Sequence, residues 1–494
     1  MSSPSSRWRS GIAGAVAVGL LLALSPLAAA GTGQKAPAGH RAPRAAGDAL
    51  DCSGRTIYGI EQTSGSPSKL VAVTTSSIGA AQVTPSTVST LPAGSFSANA
   101  LGITNGGAAV YALNFPDAGG NALVYAYTVA TGTWASFPVR LSQPFFVAGA
   151  VNPDNGIYYF ANYGAGTASS PGVGTLYGFD TTTNTFIGAV GQFTLPFNSA
   201  GFSNGDITFD GAGNMYVLAQ SGTDTVLALV QGPLPTTAGT QQLTLQKLSS
   251  ISNPTSDSYN GDAFDSSGNL YVSFNKRQPD GTTRAELERI NPNTGKVAAG
   301  PSTSTNTALF SDLASCALNP TLALQKNVVG RFAQTASSND QFALSITGGG
   351  VTQNNKATTA GTATGLQPQA AGPVIGRPGQ TYTLTETGAS GADLANYTTT
   401  YDCVDTANGN ASVASGNGTT ITLPFPNTQA DKPSPNVVCT FTNTPVPARP
   451  ALSLAKTVRE KQFTGPGQVF SLSSLNVLRS AAEGQPTSGP LPAP

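Results

Sequence analysis

One recurring pattern constrains this chain more than any other feature. Residues 203–218 read SNGDITFDGAGNMYVL, and the pattern returns at 261–274 as GDAFDSSGNLYVSF. Each copy has a polar start, a short apolar strand, a Gly-Asn turn and an apolar-Tyr-apolar strand. Tyr and β-branched residues at period two, broken by Gly-Asn, predict antiparallel strands joined by a tight turn. Looser copies occupy 146–160 and 96–113. Tyr58, Tyr111, Tyr158, Tyr216 and Tyr271 each mark one such strand, about 50 residues apart. A further strand follows each of them, at 70–73, 124–127, 176–179, 226–229 and 287–290. Three of these lead through the turns ATGT, TTNT and NTGK toward Trp134, Phe186 and Val297. A unit this small cannot bury its own face, so the copies must close on one another. The expected fold is all-β: a β-propeller of about five blades, or six if a weak copy is hidden, with a second β domain after it.

The two ends of the repeated region complete each other. Residues 309–316 (LFSDLASC) match a first strand with no Tyr strand after it, while 51–60 (DCSGRTIYGI) form a Tyr strand with none before it. Joined, they make the final blade. Cys52 and Cys316 fall on the two sides of that seam. A disulfide there would close a loop of over 260 residues, for which chain entropy gives a stabilisation of roughly 5 kcal/mol. Two unrelated thiols are the alternative.

Export makes pairing the better reading. Arg7 and Arg9, an apolar run over 11–24 and Ala28, Ala29 and Ala30 have the layout of a signal peptide at 1–30. The run is shorter than the roughly 20 residues that span a bilayer, and no other segment is long or apolar enough to cross. The mature protein is thus expected to be extracellular or loosely held at the cell surface, in an oxidising compartment that favours disulfides. Residues 31–50 read as a disordered leader carrying His40, the only histidine in the chain. A formal net charge of zero and 10% charged residues exclude an electrostatic footprint for nucleic acid. A monomer is expected.

With its DC…ASC frame and repeated GN-(L/M)-YV strands, the region 51–316 resembles the uncharacterised propeller-like domains of secreted proteins from high-GC Gram-positive bacteria. Residues 318–447 differ. They open LNPTLALQKNVVG, pass through GPVIGRPGQTYTLTETG and end NVVCTFTNTP. This segment is similar to the prealbumin-like (SpaA or Cna B-type) modules of Gram-positive pilins and adhesins, which are small β-sandwiches used as stalks. That resemblance implies a disulfide between Cys403 and Cys439, both inside the module. After a Pro-rich linker, residues 451–458 (ALSLAKTV) restart the LALQKNV theme, so 448–494 reads as a linker and the truncated start of a further surface repeat, mostly disordered.

Chemistry enters through strand alternation. In LALQKNV, Leu322, Leu324, Lys326 and Val328 share one face; in YTLTET, Tyr382, Leu384 and Glu386 do; in CTFTNT, Cys439, Phe441 and Asn443 do. Lysine, glutamate and asparagine therefore each extend an apolar row. Burial there neutralises or pairs a charge, and a lysine that loses its proton becomes a nucleophile. The set resembles the Lys–Asn isopeptide cross-link of the pilin modules, with Lys326, Glu386 and Asn443 in the matching strands. The competing reading leaves all three at frayed strand ends, with Lys326 reaching out to solvent.

A second set, Asn99, Asp206, Asp262 and Asp312, recurs at the start of the inner strand. In a propeller this places a polar ring at the mouth of the central channel, where Ca²⁺ or a small ligand is conceivable. Turn capping and bonds to the backbone of neighbouring blades are the bland reading, and the better one. The GN-(L/M)-YV strands also resemble lactonase-type and lyase propellers, yet with His40 in the leader the folded part has no imidazole for acid–base work or metal binding. Trp134, Tyr127, Tyr158 and Tyr159 suit a carbohydrate-stacking patch, but aromatics between blades pack cores by default. The sequence therefore favours a secreted, non-enzymatic, adhesin-like protein, its propeller head binding a glycan or protein on a β-sandwich stalk. The alternatives are an extracellular propeller hydrolase or lyase using the channel-mouth carboxylates, and a purely structural spacer. No resident cofactor is expected.

Overall fold

The Gly-Asn turns form because the chain must reverse within a few residues. Gly213 and its equivalent Gly268 sit at φ 78° and 71°, in the left-handed region that costs other residues more. The aspartate three residues before each of them staples the turn. Asp210 accepts hydrogen bonds from the Ala212 and Asn214 amides, the Asn214 side chain and the Tyr216 hydroxyl. Asp265 repeats all four with Ser267, Asn269 and Tyr271. The motif is thus one device: the aspartate holds the turn, and the tyrosine adds a large apolar body whose hydroxyl is satisfied at the turn.

The computed structural model describes residues 49–446, apart from 93, 96, 144, 199–203, 254–256, 333, 336–337 and 430–431, together with the strands Asn476–Ser480 and Pro486–Pro490. The export signal, His40 and the repeat opening at 451–458 lie outside the described residues.

Among the described residues, five mostly antiparallel sheets carry the repeats. The first runs Ala98–Ile103, Ala109–Asn114, Asn121–Thr128, Thr133–Arg140; the second Ala148–Val151, Ile157–Tyr163, Pro171–Asp180, Thr185–Asn198. The third is Asn204–Phe209, Met215–Ser221, Asp224–Val230, Gln246–Ser252, and the fourth Tyr259–Phe264, Leu270–Arg277, Thr283–Asn291, Lys296–Ser304. In the fifth, Leu309–Ala314 pairs with Thr56–Gln62, placing Tyr58 opposite Ala314, and Lys69–Thr74 and Ser86–Thr90 complete the sheet from the other end of the chain. Cys52 and Cys316 are disulfide-bonded across this seam.

Five hydrophobic clusters lie between consecutive sheets. Tyr158 and Phe160 of the second sheet, with Phe146 just before it, meet Tyr111 and Leu113 of the first, and Tyr163 and Phe193 meet Ile207 and Met215 of the third. Tyr216 and Leu227 meet Phe264 and Leu270, Tyr271 and Leu287 meet Ile57 and Val71, and Tyr58 and Leu70 meet Leu101 and Tyr125. The last two clusters bring the fifth sheet against both the fourth and the first, closing the ring. Each fully buried Leu, Val or Phe adds about 1.5–3 kcal/mol relative to an exposed one.

The carboxy-terminal module is a β-sandwich. One sheet contains Thr321–Val328, Asn436–Pro445, Tyr397–Asp405 and Ala411–Asn417; the other contains Lys356–Thr358, Gln341–Gly348, Thr381–Ala389 and Thr420–Pro424. Leu322, Leu344, Leu384, Val437 and Phe441 fill the space between them. Cys403 and Cys439, direct cross-strand neighbours, are disulfide-bonded within this core. The module is seated on the head: Asn293 donates to the carbonyls of Gly349 and Ile375 at 3.1 and 3.0 Å, Arg377 donates to Asn269 at 3.1 Å, and Ile375 joins the core between the third and fourth sheets.

Residues Pro447–Pro494 cluster as a separate unit. Within it Asn476–Ser480 pairs antiparallel with Pro486–Pro490, Asn476 opposite Pro490. The composition of 448–494 predicts mostly disordered chain, and this hairpin is the part of it among the described residues. Strand pairing uses backbone groups that every residue but proline carries in full, and Pro486 and Pro490 occupy strand ends, where a missing N–H costs least.

Candidate cross-linking site

The first and last strands of the sandwich run parallel, with Lys326 opposite Phe441 and Val328 opposite Asn443. Alternation turns Leu322, Leu324, Lys326 and Val328 inward, and all four are fully buried. Asn443, Phe441 and Cys439 face the same core from the last strand, and Tyr382, Leu384 and Glu386 do so from the opposite sheet. The three polar residues meet. Lys326 Nζ lies 3.0 Å from Glu386 Oε1, and Asn443 Nδ2 donates to that same oxygen at 2.8 Å. Lys326 also donates to the Phe441 carbonyl at 3.2 Å and stands 4.8 Å from the centre of the Phe342 ring. Phe342, Val328 and Tyr397 wall the site with apolar surface. None of the three lies at a frayed end.

Burial sets the protonation states. It lowers the Lys326 ammonium to about 8, with Glu386 opposing the shift and Arg331 adding to it. It raises the Glu386 carboxyl, against the pull of Lys326 and Asn443. Desolvation therefore moves both groups toward the neutral pair, an amine beside a carboxylic acid, and away from the buried ion pair. Glu386 Oε2 and Asn443 Oδ1 have no hydrogen-bond partner in the protein. This arrangement brings together the groups that one reaction would need. The Lys326 amine attacks Asn443 Cγ, Glu386 takes a proton from the attacking nitrogen and delivers one to the departing nitrogen, and the C–N bond of the side-chain amide breaks to release ammonia. One amide is lost and one is gained.

The motifs of the sequence do not single out Phe342 or Arg331. A signal for Phe342 exists, because 341–348 (QFALSITG) alternates like its neighbours. Arg331 has none: its place depends on its bonds to the Asp340 and Ala363 carbonyls and to Gln367.

In the head, Asn99, Asp206, Asp262 and Asp312 lie on the inner strands, but buried and not on an open mouth: the three aspartates are fully buried and Asn99 is 7% exposed. Two of the aspartates serve neighbouring blades. Asp312 accepts from the Leu101 amide at 2.6 Å, and Asp206 accepts from the Asp262 amide at 2.7 Å and the Gly149 amide at 3.2 Å. The inner strands pack so closely that a Cβ on Gly149 would sit 2.3 Å from the Ala100 carbonyl oxygen. Burial holds Asp206 and Asp312 well above the usual carboxylate range, and the charge of Asp312 adds to the rise at Asp206. Asp262 is raised by burial and by the charge of Asp206, and neither of its oxygens has a partner in the protein. It borders a cavity of about 20 Å³, lined also by Gly102, Gly149, Ile207 and Leu318, which is room for about one water. No group of three or more His, Cys, Asp or Glu is placed to hold a metal ion among the described residues. Of the aromatics that would suit a stacking patch, Tyr158 and Tyr159 are fully buried, and Trp134, half-buried, lies against the buried Tyr127 with its indole N–H on Ser89.

Comparison with known proteins places a prealbumin-like fold domain at residues 321–445. A comparison with curated proteins finds no match. Among solved structures, the chain is similar to a Bacteroides caccae protein of unknown function at 11% identity, covering 52% of this chain and 98% of that one with a TM-score of 0.30. It is similar to the periplasmic gluconolactonase of Pseudomonas aeruginosa at 10% identity, covering 66% and 99% with a TM-score of 0.29. It is also similar to a variant of the major pilin of Streptococcus pyogenes at 11% identity, covering 55% and 81% with a TM-score of 0.16. Among the described residues, no helix is long and apolar enough to cross a membrane.

Proposed function

We propose that this is a secreted, non-enzymatic surface protein whose propeller head binds a glycan or protein while the prealbumin-like module serves as a self-stapled stalk. The observation that carries the reading is the buried set of Lys326, Glu386 and Asn443 joining the first and last strands of the module. Tension enters the module from the head at Thr321 and leaves it beyond Asn443. A Lys326–Asn443 amide routes that tension through a few residues of two parallel strands and spares everything between them. A stalk needs that property, and a spacer under no load does not. The head favours binding over catalysis, because the channel carboxylates that a hydrolase or lyase would use are buried, and Asp206 and Asp312 are bonded to backbone amides.

The test has two arms on the full chain. Intact mass is expected to fall short of the sequence mass by one ammonia, beyond the hydrogens lost to two disulfides, and Glu386→Ala is expected to restore it. A glycan and extracellular-matrix binding screen is expected to give a ligand that resists competition by free prealbumin-like module. A full-length mass with no ammonia lost removes the stapled stalk, and turnover of a sugar or lactone in the screen would return the head to the enzymes.

A further inference from the structure

We propose that Thr399 supplies the hydroxyl that steadies the oxyanion formed on Asn443 during cross-linking; this rests on the cross-linking reading above. Thr399 lies directly opposite Asn443 in the antiparallel pairing of Tyr397–Asp405 with Asn436–Pro445. Residues so paired share a face, with Cβ atoms about 4.5–5.5 Å apart. The two inward rows match along their length: Cys403 faces Cys439, Tyr401 faces Phe441, and Thr399 faces Asn443. Thr399 is the hydroxyl in its row nearest the reacting amide. It is 7% exposed, and its Oγ1 is buried with no hydrogen-bond partner in the protein. Asn443 Oδ1 is likewise buried and without a partner. Two complementary unsatisfied groups on facing residues are uncommon in a folded core and call for a reason.

The reaction provides one. Glu386 Oε1 is engaged with both nitrogens, the one that attacks and the one that leaves. Asn443 Oδ1 occupies the other corner of the planar amide. When the Lys326 amine adds to Cγ, the C=O π pair moves onto Oδ1, which becomes an alkoxide. When the C–N bond breaks, that pair returns and ammonia departs with the proton relayed by Glu386. The alkoxide needs a donor at that moment, and a short rotation of the threonine side chain supplies O–H to it. The nearby Tyr397 hydroxyl is committed, donating to Asp340 at 2.6 Å and accepting from the Phe332 amide at 2.7 Å.

Synthesis of the full chain in a cell-free system, with intact mass sampled over time, tests this. Thr399→Val keeps the shape and removes the hydroxyl, and it is expected to slow ammonia loss on the order of 10²–10³-fold, the usual cost of one oxyanion donor. Thr399→Ser is expected to recover most of the rate, which a packing role would not allow. Far-UV circular dichroism and the Cys403–Cys439 disulfide are expected to match wild type in both. Ammonia loss by Thr399→Val at the wild-type rate overturns the proposal, as does equal slowing in the valine and serine variants. A wild-type chain that keeps its ammonia overturns the cross-link itself and this role with it.

Discussion

Replacing Lys326 by methionine separates a cross-linked stalk from a merely paired one by the sign of its effect on stability. An amide between Lys326 and Asn443 would close a loop of roughly 120 residues, which chain entropy values at roughly 5 kcal/mol by analogy with a disulfide. Lys326→Met removes that constraint. Only in a chain without the cross-link does it also replace a fully buried Lys–Glu pair by an apolar side chain of similar length, a change that is often neutral or stabilising by about 1–4 kcal/mol. Glu386 does not stand in the way, because burial already favours its neutral acid and Asn443 remains its partner. The balance for a cross-linked module is a net loss of roughly 5 kcal/mol. Without a cross-link, the same variant is as stable as wild type or more so. Guanidinium unfolding followed by far-UV circular dichroism, with both disulfides kept oxidised, reads the difference as a shift in midpoint. A wild-type chain that has lost ammonia yet unfolds no later than Lys326→Met would refute the loop-closure reasoning.

Two further outcomes follow from the head. Replacing both Cys52 and Cys316 by serine frees a closure spanning 264 positions, so the seam is expected to lose roughly 5 kcal/mol; unchanged protection of 56–62 and 309–314 in hydrogen exchange would contradict it. Asp262→Asn removes a carboxyl that burial holds well above its usual range. A group with a raised folded-state pKa lends its stability fully below the unfolded value, near 3.9, and loses it as pH rises through the folded value. The variant is therefore expected to melt higher than wild type at neutral pH, with the gain vanishing near pH 4; a gain that is the same at both pH values would show that the charge is not its source.

How much of the molecule is legible in its sequence differs between head and stalk. In the head, the aspartates of the inner strands are visible as a recurring position, and bonding to neighbouring blades is the bland reading of it. What the pattern does not carry is that burial holds Asp206 and Asp312 well above the usual carboxylate range and that Asp262 is left without a partner. Those facts depend on how far each inner strand is offset from the next, and Gly149 in the second sheet, where the others carry Asn or Asp, sets part of that offset. In the stalk, three short alternating runs are enough to put Lys326, Glu386 and Asn443 on buried faces, because a strand has only two faces and the apolar one must be inside.

Local pattern alone determined the hairpins, their Gly-Asn turns and the inward set of each strand, since each of these is decided within a few bonds along the chain. Tertiary structure decided what meets what: that Lys326 and Asn443 reach one oxygen of Glu386, that Thr399 stands opposite Asn443 with its hydroxyl unspent, and that Asn293 and Ile375 seat the stalk on the head. Alternation says which side of a strand is buried, but only sheet order and register, products of the whole packed chain, say which residue waits on the other side.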